Sequence, residues 1–223
     1  MVKNDAEIAA LKESAKLNSE ALQYIRGSLR EGVSEKEISD AYLQYIHERG
    51  STGPAFDPIV GFGDHTATPH HKVTGRKLKK GDAVTLDVGL MLNGYASDVT
   101  RSFFFDSEGD MKFETIVKEA HRLALEMCKP GVDFGDIGTR VDQFFKEKGV
   151  FEFRKHNLGH GVGKKVHEEP FVSSLDRILR AGMVITIEPG LYQAGNFGYR
   201  HEDTILITKE GFLNFYEDWD GTR

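Results

Sequence analysis

A chain of 223 residues with 39% hydrophobic and 29% charged residues is long enough to bury a sizeable core and has the composition of a globular protein. A formal charge of −6 and the lack of a long basic run speak against a surface that tracks phosphates, so no nucleic-acid partner is expected. No apolar stretch approaches the roughly 20 residues that span a bilayer, residues 1–11 lack the apolar core of a secretory signal, and the single cysteine, Cys128, rules out an internal disulfide. These features together predict a cytoplasmic protein without a membrane partner.

The first predicted element is a helix from about Asp5 to Arg26, with Ile8, Leu11, Ala15, Leu22 and Ile25 near one stripe. Ser34 opens a second, with Glu37 three residues on as a capping box and Ile38, Ala41, Tyr42 and Tyr45 on its apolar face. A short strand is expected at Pro58 to Phe62. Ala83 to Leu90 and Tyr95 to Phe105 read as strands around an Asn93-Gly94 turn. The pattern then recurs: helices at Lys112 to Cys128 and Phe134 to Lys148, the glycine-rich run Gly159 to Gly163, and strands near Met183 to Tyr192 and Tyr199 to Thr208. Cys128 falls near the end of a helix and reads as a buried residue rather than a catalytic thiol.

Sliding the chain on itself exposes an internal repeat. Arg76 to Leu90 lies over Arg177 to Leu191, 101 positions further on, with Arg, Leu, Gly, Thr, Gly and Leu identical and Asp87 falling on Glu188. In each half a second acid follows across a turn, Asp98 in the first and Glu202 in the second. The expected architecture is one α+β domain over 1–223, built from two helix–helix–strand halves at about 4–106 and 110–216.

The acids sit in apolar strands that disfavour them. If Asn93-Gly94 is a two-residue turn, Leu92 pairs with Tyr95 and Asp87 lies opposite Thr100. Alternation then makes Asp87 and Asp98 diagonal neighbours on one face. Carboxylates so close repel unless they share protons or surround cations. Proton sharing settles a pair, as in aspartic proteases, but hardly four acids and a histidine. Divalent cations settle the set, and carboxylate-rich ligation with one imidazole favours manganese, with cobalt, iron or zinc as alternatives.

Of nine histidines, His47, His121 and His65 are expected in solvated or capping roles, and His201, beside Glu202, points out of the site. His71, beside His70, is expected to do the same. The run from His156 through Gly159-His160-Gly161 to His167-Glu168-Glu169-Pro170 differs, because glycines beside His160 permit close backbone approach. A phosphate loop is the competing reading, but no Lys-Ser/Thr and no helix start follow, and His167-Glu168 lacks the second histidine of the helical zinc-protease motif.

Four motifs in this order make the whole chain resemble the pita-bread metallopeptidases, which include Xaa-Pro aminopeptidases, Xaa-Pro dipeptidases (prolidases) and methionine aminopeptidases. They are Leu86-Asp87-Val88-Gly89, Ser97-Asp98-Val99-Thr100-Arg101, the His160 cluster, and Ile187-Glu188-Pro189-Gly190 with Arg200-His201-Glu202-Asp203-Thr204. The resemblance implies a pita-bread fold, two pseudo-symmetric halves around a curved, mainly antiparallel sheet. It also implies two divalent ions, one chelated by Asp87, the other bound by His160 and Glu188, with Asp98 and Glu202 bridging both. His156 and Arg200 look like the proline-specific branch, and His70 matches the family's substrate-contacting histidine. The implied reaction is hydrolysis of an Xaa-Pro bond by a metal-bridging hydroxide, with a peptide bearing proline at its second position as substrate. The alternatives are a methionine aminopeptidase and a non-catalytic binding protein on the same fold. In that mechanism Glu188 accepts and returns a proton while also a ligand, His167 bonds the carbonyl oxygen, His70 contacts substrate, and His156 and Arg200 support the site or recognise a carboxylate. A homodimer is implied by resemblance alone. Cytosolic proline-specific members usually carry a further N-terminal domain, which is expected to be absent. Phe56, Tyr95 and Tyr192 read as packing residues.

Overall fold

The computed structural model describes residues 1–107, 109 and 111–217. The expected start of the second half at residue 110, and the 218–223 end of the single-domain span, lie outside the described residues. In the first half, α1 (Asp5–Gly27) and α2 (Glu35–Glu48) precede β1 (Gly53–Pro54), β2 (Ile59–Phe62), β3 (Ala83–Val88), β4 (Leu90–Leu92), β5 (Tyr95–Ala96) and β6 (Val99–Phe104). In the second, α3 (Met111–Met127) and α4 (Phe134–Glu147) precede β7 (His160–Gly161), β8 (Glu168–Phe171), β9 (Val184–Ile187), β10 (Gly190–Tyr192), β11 (Gly198–Arg200), β12 (Asp203–Ile207) and β13 (Phe212–Asn214).

Both first-half helices start on reciprocal caps. Asn4 accepts from the Glu7 N–H while the Glu7 carboxylate accepts from Asn4 N–H, each at 3.0 Å. The Ser34 hydroxyl takes the Glu37 N–H at 3.2 Å, and Glu37 returns a bond to Ser34 N–H at 2.8 Å. The apolar stripes of α1 and α2 close one core with Val60, Val84, Leu86 and Val99. Those of α3 and α4 close another with Ile185, Ile187, Ile205 and Ile207.

The repeat read from sequence is visible in the backbone. Gly32 N–H donates to Leu78 O at 2.8 Å and Gly131 N–H to Leu179 O at 2.9 Å. The helix caps Ser34 and Asp133 make matching bridges to Lys77 and Ile178. All strand pairs are antiparallel. β2-β3-β6 and β13-β12-β9-β7-β8 form the two sheets that deliver most of the acids, linked by a bridge between Thr100 and Glu202, and β1-β4-β5 and β10-β11 form two smaller ones.

The hairpin register is the expected one: Leu92 faces Tyr95 and Asp87 faces Thr100. Asn93 and Gly94 have φ of 53° and 80°, the left-handed pair of a two-residue turn. The expected long strands are each broken just beyond the acid. At Gly89 any Cβ would strike the Ser97 carbonyl and Phe56, and in the second half Pro189 has no N–H for the ladder. Each break ends the regular strand where Asp87 and Glu188 stand. β1, β7, β8 and β13 lie outside the strands expected from sequence; each is four residues or fewer.

Candidate active site

One cavity of about 690 Å³ is lined by Asp87, Asp98, His160, Glu188 and Glu202, and by His70, His156, His167 and Arg200. Every site residue expected from sequence is therefore brought to one place, from both halves of the chain. β3 delivers Asp87 and the approach to β6 delivers Asp98. β7 delivers His160, the end of β9 Glu188, and the approach to β12 Glu202.

Small residues and hydroxyls set these side chains. A Cβ at Gly159 would collide with the Thr186 carbonyl and one at Gly161 with Glu169 O, so only glycine lets β7 lie this close to its neighbours. The Thr186 hydroxyl accepts from His160 N–H at 3.1 Å and donates to Glu188 Oε1 at 3.3 Å. The Thr100 hydroxyl accepts from Arg200 Nε at 3.1 Å and donates to Glu202 Oε2 at 2.5 Å. His160 Nδ1 donates to Gly161 O at 3.1 Å, which leaves the Nε2 lone pair facing Asp98 Oδ2 at 3.6 Å and Glu188 Oε1 at 3.5 Å.

Arg200 is buried and fully committed. It donates to Asp87 Oδ2 at 2.5 Å, to the Tyr192 hydroxyl at 2.6 Å and to Pro69 O at 3.3 Å. The Tyr192 oxygen lies 2.7 Å from His156 Nε2, and His156 Nδ1 lies 2.8 Å from Asn157 O. With Nδ1–H donating to that carbonyl, Nε2 accepts from the phenol, giving a chain Arg200–Tyr192–His156 behind Asp87. Tyr192 is thus more than a packing residue, a role its place in an apolar run concealed.

Electrostatics follow from burial. Burial pushes the Asp98 and Glu202 carboxyls well above the usual range, with neighbouring carboxylates adding to it. Burial raises Asp87 against the opposing pull of Arg200, and Glu188 is pushed up to about 7 by burial. The imidazoles move the other way: burial lowers His160 to about 4 and His156 to about 3, and it also lowers His167.

These residues fit divalent cations. Among the described residues Asp87 Oδ1 is buried without a hydrogen-bond partner, although Oδ2 is held by Arg200. Donor atoms of Asp98, His160 and Glu202 lie within 4.8 Å of one another. Four acids against one committed guanidinium leave an excess of negative charge that protons only partly relieve, and oxygen-rich donors with one imidazole suit hard ions.

The remaining histidines divide. His47 is exposed, as expected. His121 is not: it is buried, its ring 4.8 Å from His201, near Asp203. Its amphipathic helix turns that position inward, which a solvated or capping reading missed. His201 faces this cluster and lines no part of the pocket, as expected, whereas His71 does line it, because the bond of its ring to Glu35 turns it toward the site rather than away. His65 is likewise no solvated loop residue, since it donates to the buried Glu35 at 2.7 Å.

Three comparisons bear on this geometry. The sequence model of one family, metallopeptidase family M24, matches residues 9–209. An uncharacterized peptidase of Staphylococcus aureus is 39% identical over 221 residues, which is 97% of this chain and 63% of that protein. The prolidase of Pyrococcus horikoshii superposes with a TM-score of 0.93 at 36% identity, covering 96% of this chain and 62% of that one. An X-Pro aminopeptidase from Thermotoga maritima gives 0.92 at 34% identity, covering 96% and 62%. The chain thus spans less than two thirds of the length of these relatives.

Proposed function

Because the chain belongs to metallopeptidase family M24 and has the pita-bread fold of its neighbours, we propose that it hydrolyses the bond before proline in Xaa-Pro peptides, releasing the N-terminal residue. The observation that carries this reading is the convergence of Asp87, Asp98, His160, Glu188 and Glu202 with His70, His156, His167 and Arg200 around one pocket. The likeness to a prolidase and an X-Pro aminopeptidase supports proline as the second residue. An Xaa-Pro bond lacks the N–H on which other peptidases rely, and its ring restricts the preceding residue.

In this reading Asp87, Asp98, His160, Glu188 and Glu202 would hold two divalent ions, manganese favoured. Bound there, such ions supply an activated water and polarise the scissile carbonyl. The chain's own groups do the rest. Glu188 takes a proton and returns it to the leaving nitrogen. His167 and His70 face the pocket where the carbonyl oxygen gathers charge. The Arg200–Tyr192–His156 chain keeps Asp87 in place. The buried free thiol of Cys128 is compatible with a reducing cytoplasm.

A panel of Xaa-Pro dipeptides, longer Xaa-Pro peptides and a Met-Ala peptide, assayed after chelation and after adding back manganese, tests the proposal. Cleavage confined to Xaa-Pro substrates and dependent on added metal is expected. Cleavage of Met-Ala in preference, or activity indifferent to chelation, would overturn it.

A further inference from the structure

Glu35, the first residue of α2, has no solvent exposure, and a carboxylate so placed needs partners. It has five. Oε1 accepts from Phe62 N–H at 3.1 Å and His65 Nδ1 at 2.7 Å. Oε2 accepts from His71 Nε2 at 3.0 Å and from Thr74 N–H and hydroxyl at 2.9 and 2.8 Å. Burial alone would raise this carboxyl, but the donors, His71 foremost, hold it below the usual range. Protein donors satisfy both oxygens, so the Glu35–His65–His71 trio needs no ion.

The fold itself does not demand this charge. In the other half Phe134 begins α4 at the matching place. Its N–H donates to Arg177 O at 3.0 Å as that of Glu35 donates to Arg76 O at 3.1 Å, and it too is fully buried. An apolar ring serves the architecture there, and a buried polar cluster is no stability device by default. What Glu35 adds is a grip on the segment 62–74, and that segment carries His70.

His70 stands between two anchored neighbours. Before it, Pro69 O accepts from Arg200 Nη1 at 3.3 Å; after it, the His71 ring is held by Glu35. We propose that Glu35 is a positioning residue of the active site, holding His71 and through it placing His70 over the pocket that Asp87 lines. The inference rests on the reading that His70 meets substrate.

The test is a double-mutant cycle on metal-loaded protein, combined with crystal structures. Glu35→Gln keeps the volume but turns one acceptor oxygen into an N–H₂ that confronts donors. We expect kcat to fall by about 10–100-fold, KM to change far less, and metal content to match the parent. In a His70→Ala background the same change should cost less than about twofold more. His71→Asn, at a side chain only 11% exposed but outside the core, should reproduce the effect if the Gln variant does not fold. Crystals of either variant should show His70 displaced relative to Asp87. An unmoved His70, or an equal loss of kcat in the His70→Ala background, would overturn the proposal. If the parent cleaves no Xaa-Pro peptide, the functional reading fails, and the position of His70 in the crystals still decides this one.

Discussion

Stripping divalent ions from the pocket should make the stability of the fold fall as pH rises past about 7, where ordinary carboxylates are already ionised and ordinary imidazoles have largely lost their proton. Asp98, Glu202 and Glu188 all have folded-state pKa values above their ordinary ones. Between those two values the folded protein holds a proton that the unfolded chain has released, so stability declines with pH. Glu188, moved from 4.5 to about 7, costs the metal-free fold about 3 kcal/mol, complete by about pH 7. Each carboxyl that stays protonated beyond that costs about 1.4 kcal/mol per pH unit. Asp98 and Glu202, both raised by burial and by neighbouring carboxylates, add to this decline, so the melting temperature of the chelated protein should fall with pH. His156 and His160, lowered to about 3 and about 4, act with the opposite sign, and their contribution fades as pH rises past about 7, where unfolded imidazole has lost its proton. Asp98→Asn keeps the shape and deletes one such group. It should raise the melting temperature of chelated protein at pH about 8 and flatten its slope, while lowering that of manganese-loaded protein because a ligand is lost. Thermal melts at matched ionic strength, with chelator or with manganese, read all four arms. A flat or rising profile for the chelated parent would refute the electrostatic account. So would an Asn variant less stable both with and without metal.

Three further outcomes are expected. Asp98→Ala or Glu202→Ala should abolish Xaa-Pro hydrolysis and leave fewer than two metal equivalents on elemental analysis; full activity with both ions in either variant contradicts the ligand assignment. His167→Ala should lower kcat by about 10²–10³-fold while metal content stays unchanged, and an unaffected kcat would remove this histidine from the reaction. Tyr192→Phe deletes the hydroxyl between Arg200 and His156. It should cost about 1–3 kcal/mol of stability and about 10–100-fold in metal affinity, checked by melts and manganese titration; parental values in both would show that the relay does not support Asp87.

Much of this was legible because strand chemistry leaves a record in sequence. Asn93-Gly94 specifies a left-handed two-residue turn, and once that turn is set the pairing of Asp87 with Thr100 follows by counting. Ser34 with Glu37 marks a helix start for the same kind of local reason. Side chains whose partners lie far along the chain left no such record. Glu35 looks like an ordinary first-turn acid favoured by the helix dipole, yet its donors stand 27 to 39 residues away. A helical histidine on a mixed stripe reads as solvated, but the packing of α3 turns His121 toward His201. Tyr192 was hidden in the same way: an aromatic in an apolar strand signals packing, and only the fold shows its hydroxyl meeting Arg200 and His156.

The two halves also explain why a charge-laden site can sit at their junction. Most of the apolar core of each half lies within that half, and a smaller cluster of Leu11, Ala96, Val162, Val184 and Leu206 joins them, so the apolar packing does not run through the acids. The junction is closed by groups beside the acids. Arg101 donates to Glu202 O and to Asp203 Oδ1, both at 2.6 Å, and the Thr204 hydroxyl donates to Asp98 O at 2.8 Å. Backbone of one half is thereby tied to the other at the very residues whose carboxylates repel. The repulsion cannot be relaxed by swinging a strand aside, because Asp98 and Glu202 are each pinned by a bond to the opposite half. Charge must be neutralised where it stands, by protons or by cations. On the proposed ligand assignment, a site held open in this way is preorganised for metal, and the same ties that frustrate the metal-free protein keep the donor side chains together before any ion arrives.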